Sequence, residues 1–213
     1  MAPSNAVARS ERAALADLML EVGPDSPTLC GTWTARDLAA HLVLRERRPE
    51  AAGLVISALR ARMERVQAAI ATRPFETLVD EVRQGPPFWN PTNFGPVDAL
   101  TNTVEFFVHH EDVRRAAERW EPRSLDAATA DAIWQVAPTT LRAITQRSPV
   151  GIDAAPSDGP AAGTTTTLKG GTPKVTLVGP VGEIVLAVYG RVTSGLEVVG
   201  DPPVVEAFRS FPR

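Results

Sequence analysis

The sequence has a single cysteine, Cys30, and three histidines, His41, His109 and His110. A lone thiol cannot close an internal disulfide, which suits a reducing cytoplasm. No apolar run is long enough to span a bilayer and no secretory leader is evident, so a cytoplasmic location is expected. Charge of one sign is also lacking: the net charge is -3, and neither the first part of the chain nor the stretch from Ile152 onward is basic. A nucleic-acid partner is therefore not expected. There is no Gly-rich phosphate loop, because Gly170-Gly171 lacks a strand–loop–helix setting. Ser-centred nucleophile motifs and internal repeats are missing too, and low complexity is confined to Thr164–Thr167.

What is present suits a folded domain. The chain has 213 residues, 44% of them hydrophobic and 22% charged, enough for a full core and two modest domains. Residues 6–22 read as a helix with Val7, Ala13, Leu15, Leu18 and Leu20 on its apolar side, ended by Gly23-Pro24. Thr34 and Asp37 form an Asp variant of the capping box, with Trp33 and Leu38 placed as a hydrophobic staple, and the helix they start runs to about Arg48. Residues 50–72 are expected as one long helix with Leu54, Ile56, Leu59, Met63, Val66 and Ile70 inward, and residues 75–83 as a short one. The loop Gly85–Pro96 is rich in proline and aromatics; its Phe88–Phe94 stretch reads either as a pocket wall or as a rigid cover for the core. Helices follow at 97–119 and 126–146, the latter carrying Pro138.

The pattern changes after Ser148. Val150–Ala154, Thr165–Lys169, Val175–Val178 and Leu196–Val199 read as strands, with Gly170-Gly171 as a hairpin signal between the second and third. Residues 180–189 and 204–211 read as helices. The expected organisation is α+β: a helical bundle over residues 1–148, then a small α+β domain over residues 149–213.

The chemistry concentrates in Thr103–Arg115. At about 100° per residue, Thr101, Glu105, His109, Asp112 and Ala116 fall within about 40° of one line, flanked by Phe106 and Val113 on one side and Val104 and Val108 on the other. A carboxylate and an imidazole thus point where the core should be, which is costly unless they are paired or hold a metal. His41 likewise points into an apolar arc formed by Leu38, Ala40, Leu42 and Leu44. His41, Glu105 and His109 make a two-His, one-carboxylate set, which leaves a coordination position open for water or substrate. Zinc is the default ion; Ni, Fe or Co suit similar ligands. Asp112 reads as an acceptor that orients a ligand imidazole, or as an ion-pair partner of Arg45 or Arg48. His110 is expected on the outer face. Cys30 is expected to be a buried structural thiol, since no His neighbours it in sequence.

Two motifs carry a resemblance. Cys30-Gly31-Thr32-Trp33-Thr34-Ala35-Arg36-Asp37-Leu38-Ala39-Ala40-His41-Leu42 is similar to a Trp-x4-Leu-x2-His element, and Glu105-Phe106-Phe107-Val108-His109-His110-Glu111-Asp112-Val113 to a Glu-x3-His-x2-Asp element. Both belong to the DinB/YfiT-like helical-bundle superfamily, in its actinobacterial branch, the maleylpyruvate isomerase family of mycothiol-dependent enzymes. The C-terminal part resembles that family's small C-terminal domain, including Gly190-Arg191. The resemblance implies a divalent metal on His41, Glu105 and His109, a thiol cofactor (mycothiol) held near it, and a metal-activated thiolate that attacks a small electrophile. It implies isomerase or S-transferase chemistry, with Arg191 holding substrate carboxylates and Arg45 and Arg48 as local alternatives. Phe88, Trp89 and Phe94 suit a bulkier or more apolar substrate than a dicarboxylate. Two other functions fit the same residues: a non-catalytic metal-binding, sensor or interaction bundle, and a hydrolase using metal-bound water.

Overall fold

The computed structural model describes residues 3–54, 56–88, 90 and 95–212, apart from the side chains of residues 3, 4 and 95–98. The fold is α+β, with helices first and a small sheet in the C-terminal part. It divides into two compact units, residues 8–121 and residues 1–7 with 122–213. This division differs from the change of composition near residue 149, because the helix at 127–145 packs on the sheet-bearing segments that follow it.

In the helical unit, α1 (Pro3–Val22) is followed by α2 (Ala35–Arg47), α3 (Arg60–Ala71), α4 (Phe75–Gln84) and α5 (Gly95–Arg114). The start of α2 is specified locally. Thr34 accepts from the Asp37 backbone N–H, and Asp37 accepts from the Thr34 backbone N–H at 2.9 Å, so two otherwise orphaned donors are satisfied reciprocally. Beyond this cap, Leu38, Leu42 and Leu44 are fully buried and pack with Leu15, Met19, Leu78 and Phe106 in one core. Burial of such side chains is worth roughly 1.5–3 kcal/mol each, and it fixes which face of α2 is inward. Arg12 spans the interior: its guanidinium lies 4.0 Å from the Phe106 ring centroid and donates to both oxygens of buried Glu46 and to the Val82 carbonyl.

The single helix expected over residues 50–72 is instead two short 3-10 turns, Pro49–Leu54 and Ser57–Leu59, and then α3. Gly53 explains the break. A Cβ there would stand 2.6 Å from Met63 Cβ and 2.9 Å from the Leu59 carbonyl oxygen, so the chain folds back on α3 at the one residue that allows the approach. Leu54, Ile56 and Leu59, expected inward, are exposed as a result, whereas Met63 and Ile70 are buried.

In the second unit, α6 (Ala127–Thr145) packs on β2 (Thr166–Lys169) and on α7 (Val181–Val188). The sheet order is β2-β1-β3-β4, with β1 at Gly151–Pro156, β3 at Lys174–Gly179 and β4 at Glu197–Val199. The expected β2–β3 hairpin does not form. β1 lies between them, antiparallel to β2 and parallel to β3. Glycine again permits the crossing: a Cβ on Gly151 would lie 2.3 Å from the Gly171 carbonyl oxygen, and Gly171 has φ +122°. Gly170-Gly171 therefore carries the chain past the start of β1. The last helix is α8 (Pro202–Ser210).

Replacing the cap, Thr34→Ala, is expected to lower unfolding free energy by about 1 kcal/mol, read from denaturant midpoints. Asp153 on β1 accepts from Thr167 and pairs with Lys174, whose hydrogen bond leads burial in setting its pKa and holds it below the ordinary 3.8. A lowered carboxyl pKa stabilises the fold above the unfolded value and loses that contribution as pH falls through the folded one. The stability gap between wild type and Asp153→Asn should therefore shrink as pH drops below 3.8.

Candidate metal centre

The site lies within the helical unit and is built from α2, α3, α5 and the loop before α2. Glu105, His109 and Asp112 share one face of α5 through their four- and three-residue spacing. His41 reaches them from α2. Its Nε2 is 3.7 Å from Glu105 Oε1, and His109 Nε2 is 3.3 Å from the same oxygen. One donor atom from each of the three residues lies within 4.8 Å of the others. Bonds of about 2.0–2.1 Å to a tetrahedral ion put ligand atoms about 3.3 Å apart, so the set fits a single divalent cation with little movement.

The far side of each imidazole is also engaged. His41 Nδ1 donates to the side-chain oxygen of Gln67 on α3 at 3.3 Å, and His109 Nδ1 donates to Asp112 Oδ2 at 3.0 Å. An oxygen on Nδ1 keeps that nitrogen a donor and turns Nε2 toward Glu105, where a bound cation would displace the proton that Nε2 shares with the carboxylate, as in metal sites where an outer acceptor orients the ligand ring. Trp33 packs on His41 with ring centroids 5.0 Å apart. A cavity of about 440 Å³ opens beside Trp33 and Gln67, with Asp37, Arg60, Met63 and Glu64 also in its lining.

Arg45 is the nearby cation. Its Nε is 3.4 Å from Glu105 Oε1, while its other nitrogens donate to Asn102 Oδ1 and the Thr101 carbonyl. Burial opposes charge on Glu105, but Arg45 and the hydrogen bonds from His109 and His41 overcome it and hold the carboxyl well below its usual range. Burial opposes charge on His109 as well; Asp112, Cys30 and Glu105 outweigh it and raise its pKa well above the usual value. Arg48 turns to Glu50 on the first 3-10 turn, 3.5 Å away.

Cys30 is more than a structural thiol: Sγ donates to Asp112 Oδ2 at 3.0 Å and lies 3.7 Å from His109 Nδ1. Nothing local signals this, because the loop reaches α5 through a tertiary bond from the Leu29 N–H to the Asp112 carbonyl. His110 is not on an outer face. It is buried, and its Nδ1 meets Glu11 on α1 at 2.8 Å; the side of α5 away from His41 is covered too, and Glu111 there is buried with Arg115. In the aromatic loop, Phe88 is 86% exposed, while Trp89 and residues 91–94 fall outside the described residues. Gln67 was not anticipated; a helical position one turn from Met63 was its one available signal. Arg191 belongs to the other compact unit, directly after α7, where it donates to the Tyr189 carbonyl at 2.9 Å.

No family model matches the sequence, and no curated protein matches it. Among solved structures, the crystal structure of the mycothiol-dependent maleylpyruvate isomerase aligns over 94% of each chain with a TM-score of 0.53. The two chains share a fold. Their sequence identity is 17%, so this likeness concerns architecture, and the chemistry rests on the side chains described above.

His110→Ala should leave metal content unchanged while lowering stability by about 1–3 kcal/mol, the usual cost of removing a partner from a buried polar group. Elemental analysis and a denaturation curve on the same preparation check both halves.

Proposed function

We propose that the protein is a divalent-metal- and thiol-dependent enzyme, an isomerase or thiol S-transferase acting on a small electrophile. The observation that carries this reading is the convergence of His41 Nε2, His109 Nε2 and a Glu105 oxygen from two helices, with both imidazoles oriented by oxygens on their other nitrogen. Two imidazoles and one carboxylate leave a coordination position open. A divalent ion held there, zinc by default, would supply Lewis acidity that lowers the pKa of a bound thiol. Mycothiol is the thiol we propose, by analogy with the protein that shares the fold.

The chain's own residues would do the rest. Glu105 is one negative charge beside Arg45, so this set with a divalent ion carries net positive charge and attracts a thiolate or a carboxylate-bearing substrate. Asp112 acts through His109 as a positioning residue. The cavity beside Trp33 and Gln67 has the size of small-ligand sites. Arg191 is proposed to hold a substrate carboxylate by paired hydrogen bonds. Lone-thiol usage suits a cytoplasmic setting, and among the described residues no helix is long and apolar enough to cross a membrane.

Arg45 supports a second reading. A guanidinium 3.4 Å from Glu105 balances the carboxylate without a metal, as a non-catalytic bundle used for sensing or interaction would need. Elemental analysis of purified and metal-incubated protein separates the two. The enzyme reading expects about one divalent ion per chain, lost in His41→Ala without loss of helix content by circular dichroism. Titration of the loaded protein with mycothiol should then perturb the metal's spectrum after cobalt substitution. Metal-free protein after incubation with Zn²⁺ and Co²⁺ would leave the ion-pair reading standing.

A further inference from the structure

His109 offers donors on two sides, and only one of them is used by the centre described above. On the Nδ1 side, Cys30 Sγ, Asp112 Oδ2 and His109 Nδ1 form a triangle with edges of 3.0, 3.0 and 3.7 Å. We propose that these three residues form a second cation site, selective for thiophilic divalent ions such as Zn²⁺ and Cd²⁺, and that it competes with the first set for His109.

Geometry supports the site directly. A point equidistant from the three atoms lies about 1.9 Å from each in their plane, so a slight out-of-plane position gives bonds of about 2.0–2.3 Å, the range for nitrogen, oxygen and sulfur ligands on zinc. Asp112 is fully buried and His109 nearly so. Charge favours this side as well. A thiolate, a carboxylate and a neutral imidazole cancel a divalent ion's charge, whereas the first set carries one carboxylate that already faces Arg45. Neutral ensembles are the ones that buried surroundings tolerate. The thiolate adds selectivity, since sulfur ligands favour Zn²⁺ and softer ions over Mg²⁺ or Ca²⁺.

The proton balance explains the competition. When an ion binds, the Cys30 thiol releases its proton to solvent, and bonds form to Sγ, Nδ1 and an Asp112 oxygen. The Nδ1 proton is released to solvent as well, and Nε2 keeps the proton it donates to Glu105. A protonated Nε2 has no lone pair for a cation held by Glu105 and His41, so one side of the ring is ligated at a time. The second site does not depend on the enzyme reading, because the ligand it shares with the first set is His109 alone, and Asp112, which orients His109 there, becomes a ligand here.

The test is titration of metal-free, thiol-free protein with Cd²⁺, followed by the ultraviolet thiolate-to-metal absorption. The chain has one cysteine, so any such band comes from Cys30. We expect a band that saturates at one equivalent, disappears in Cys30→Ser, and persists in His41→Ala and in Glu105→Gln. Cys30→Ser should still take up an ion through the first set, which separates failure of this site from failure of the enzyme reading. Absence of the band in folded wild-type protein would overturn the proposal. Loss of the band in both His41→Ala and Glu105→Gln, with native circular dichroism, would do the same, because the thiol would then be serving the first set.

Discussion

A helix that turns Glu105, His109 and Asp112 toward the interior can fold only if the surrounding elements supply partners for all three. The bundle does so from several directions. α2 brings His41 and Arg45, α3 brings Gln67 to the back of His41, and the loop before α2 brings Cys30 to Asp112. Satisfying these buried groups and building an array of electron-pair donors are the same structural act. The hydrogen bonds that stabilise the chain without a metal are arranged as ligands would be, with separations close to those around a single ion.

Part of this was legible in the sequence, because it depends on periodicity. Glu105 and His109 fall on one helical face by spacing alone, and the Thr34–Asp37 cap announces where the helix bearing His41 begins. Periodicity gives the direction of a side chain and says nothing about who meets it. It placed His110 on the far side of α5 correctly, yet that side is covered by α1 and Glu11 rather than by water. Cys30 and Gln67 were illegible for the same reason: each acts through a contact made across a long stretch of chain.

Glycine accounts for both misread connections. A helix template over residues 50–72 treats Gly53 as a weak helix former, and a hairpin template treats Gly170-Gly171 as a tight turn. In the folded chain, Gly53 and Gly151 are places where another segment passes too close for a Cβ. Such approaches are tertiary facts, invisible to local propensity. The fold likeness at 17% identity shows the complementary point: architecture survives when most residues differ, and the donor groups must be read individually to say what the scaffold can do.

The approach at Gly53 reaches further than the loop that contains it. Met63, against which Gly53 rests, stands one helical turn before Gln67 on the same side of α3. Any bulk introduced at Gly53 would have to displace α3 or the turn, and a displaced α3 would carry the Gln67 amide away from His41. A position with no donor atom of its own thereby acts as a mechanical stop that sets how one imidazole is aimed.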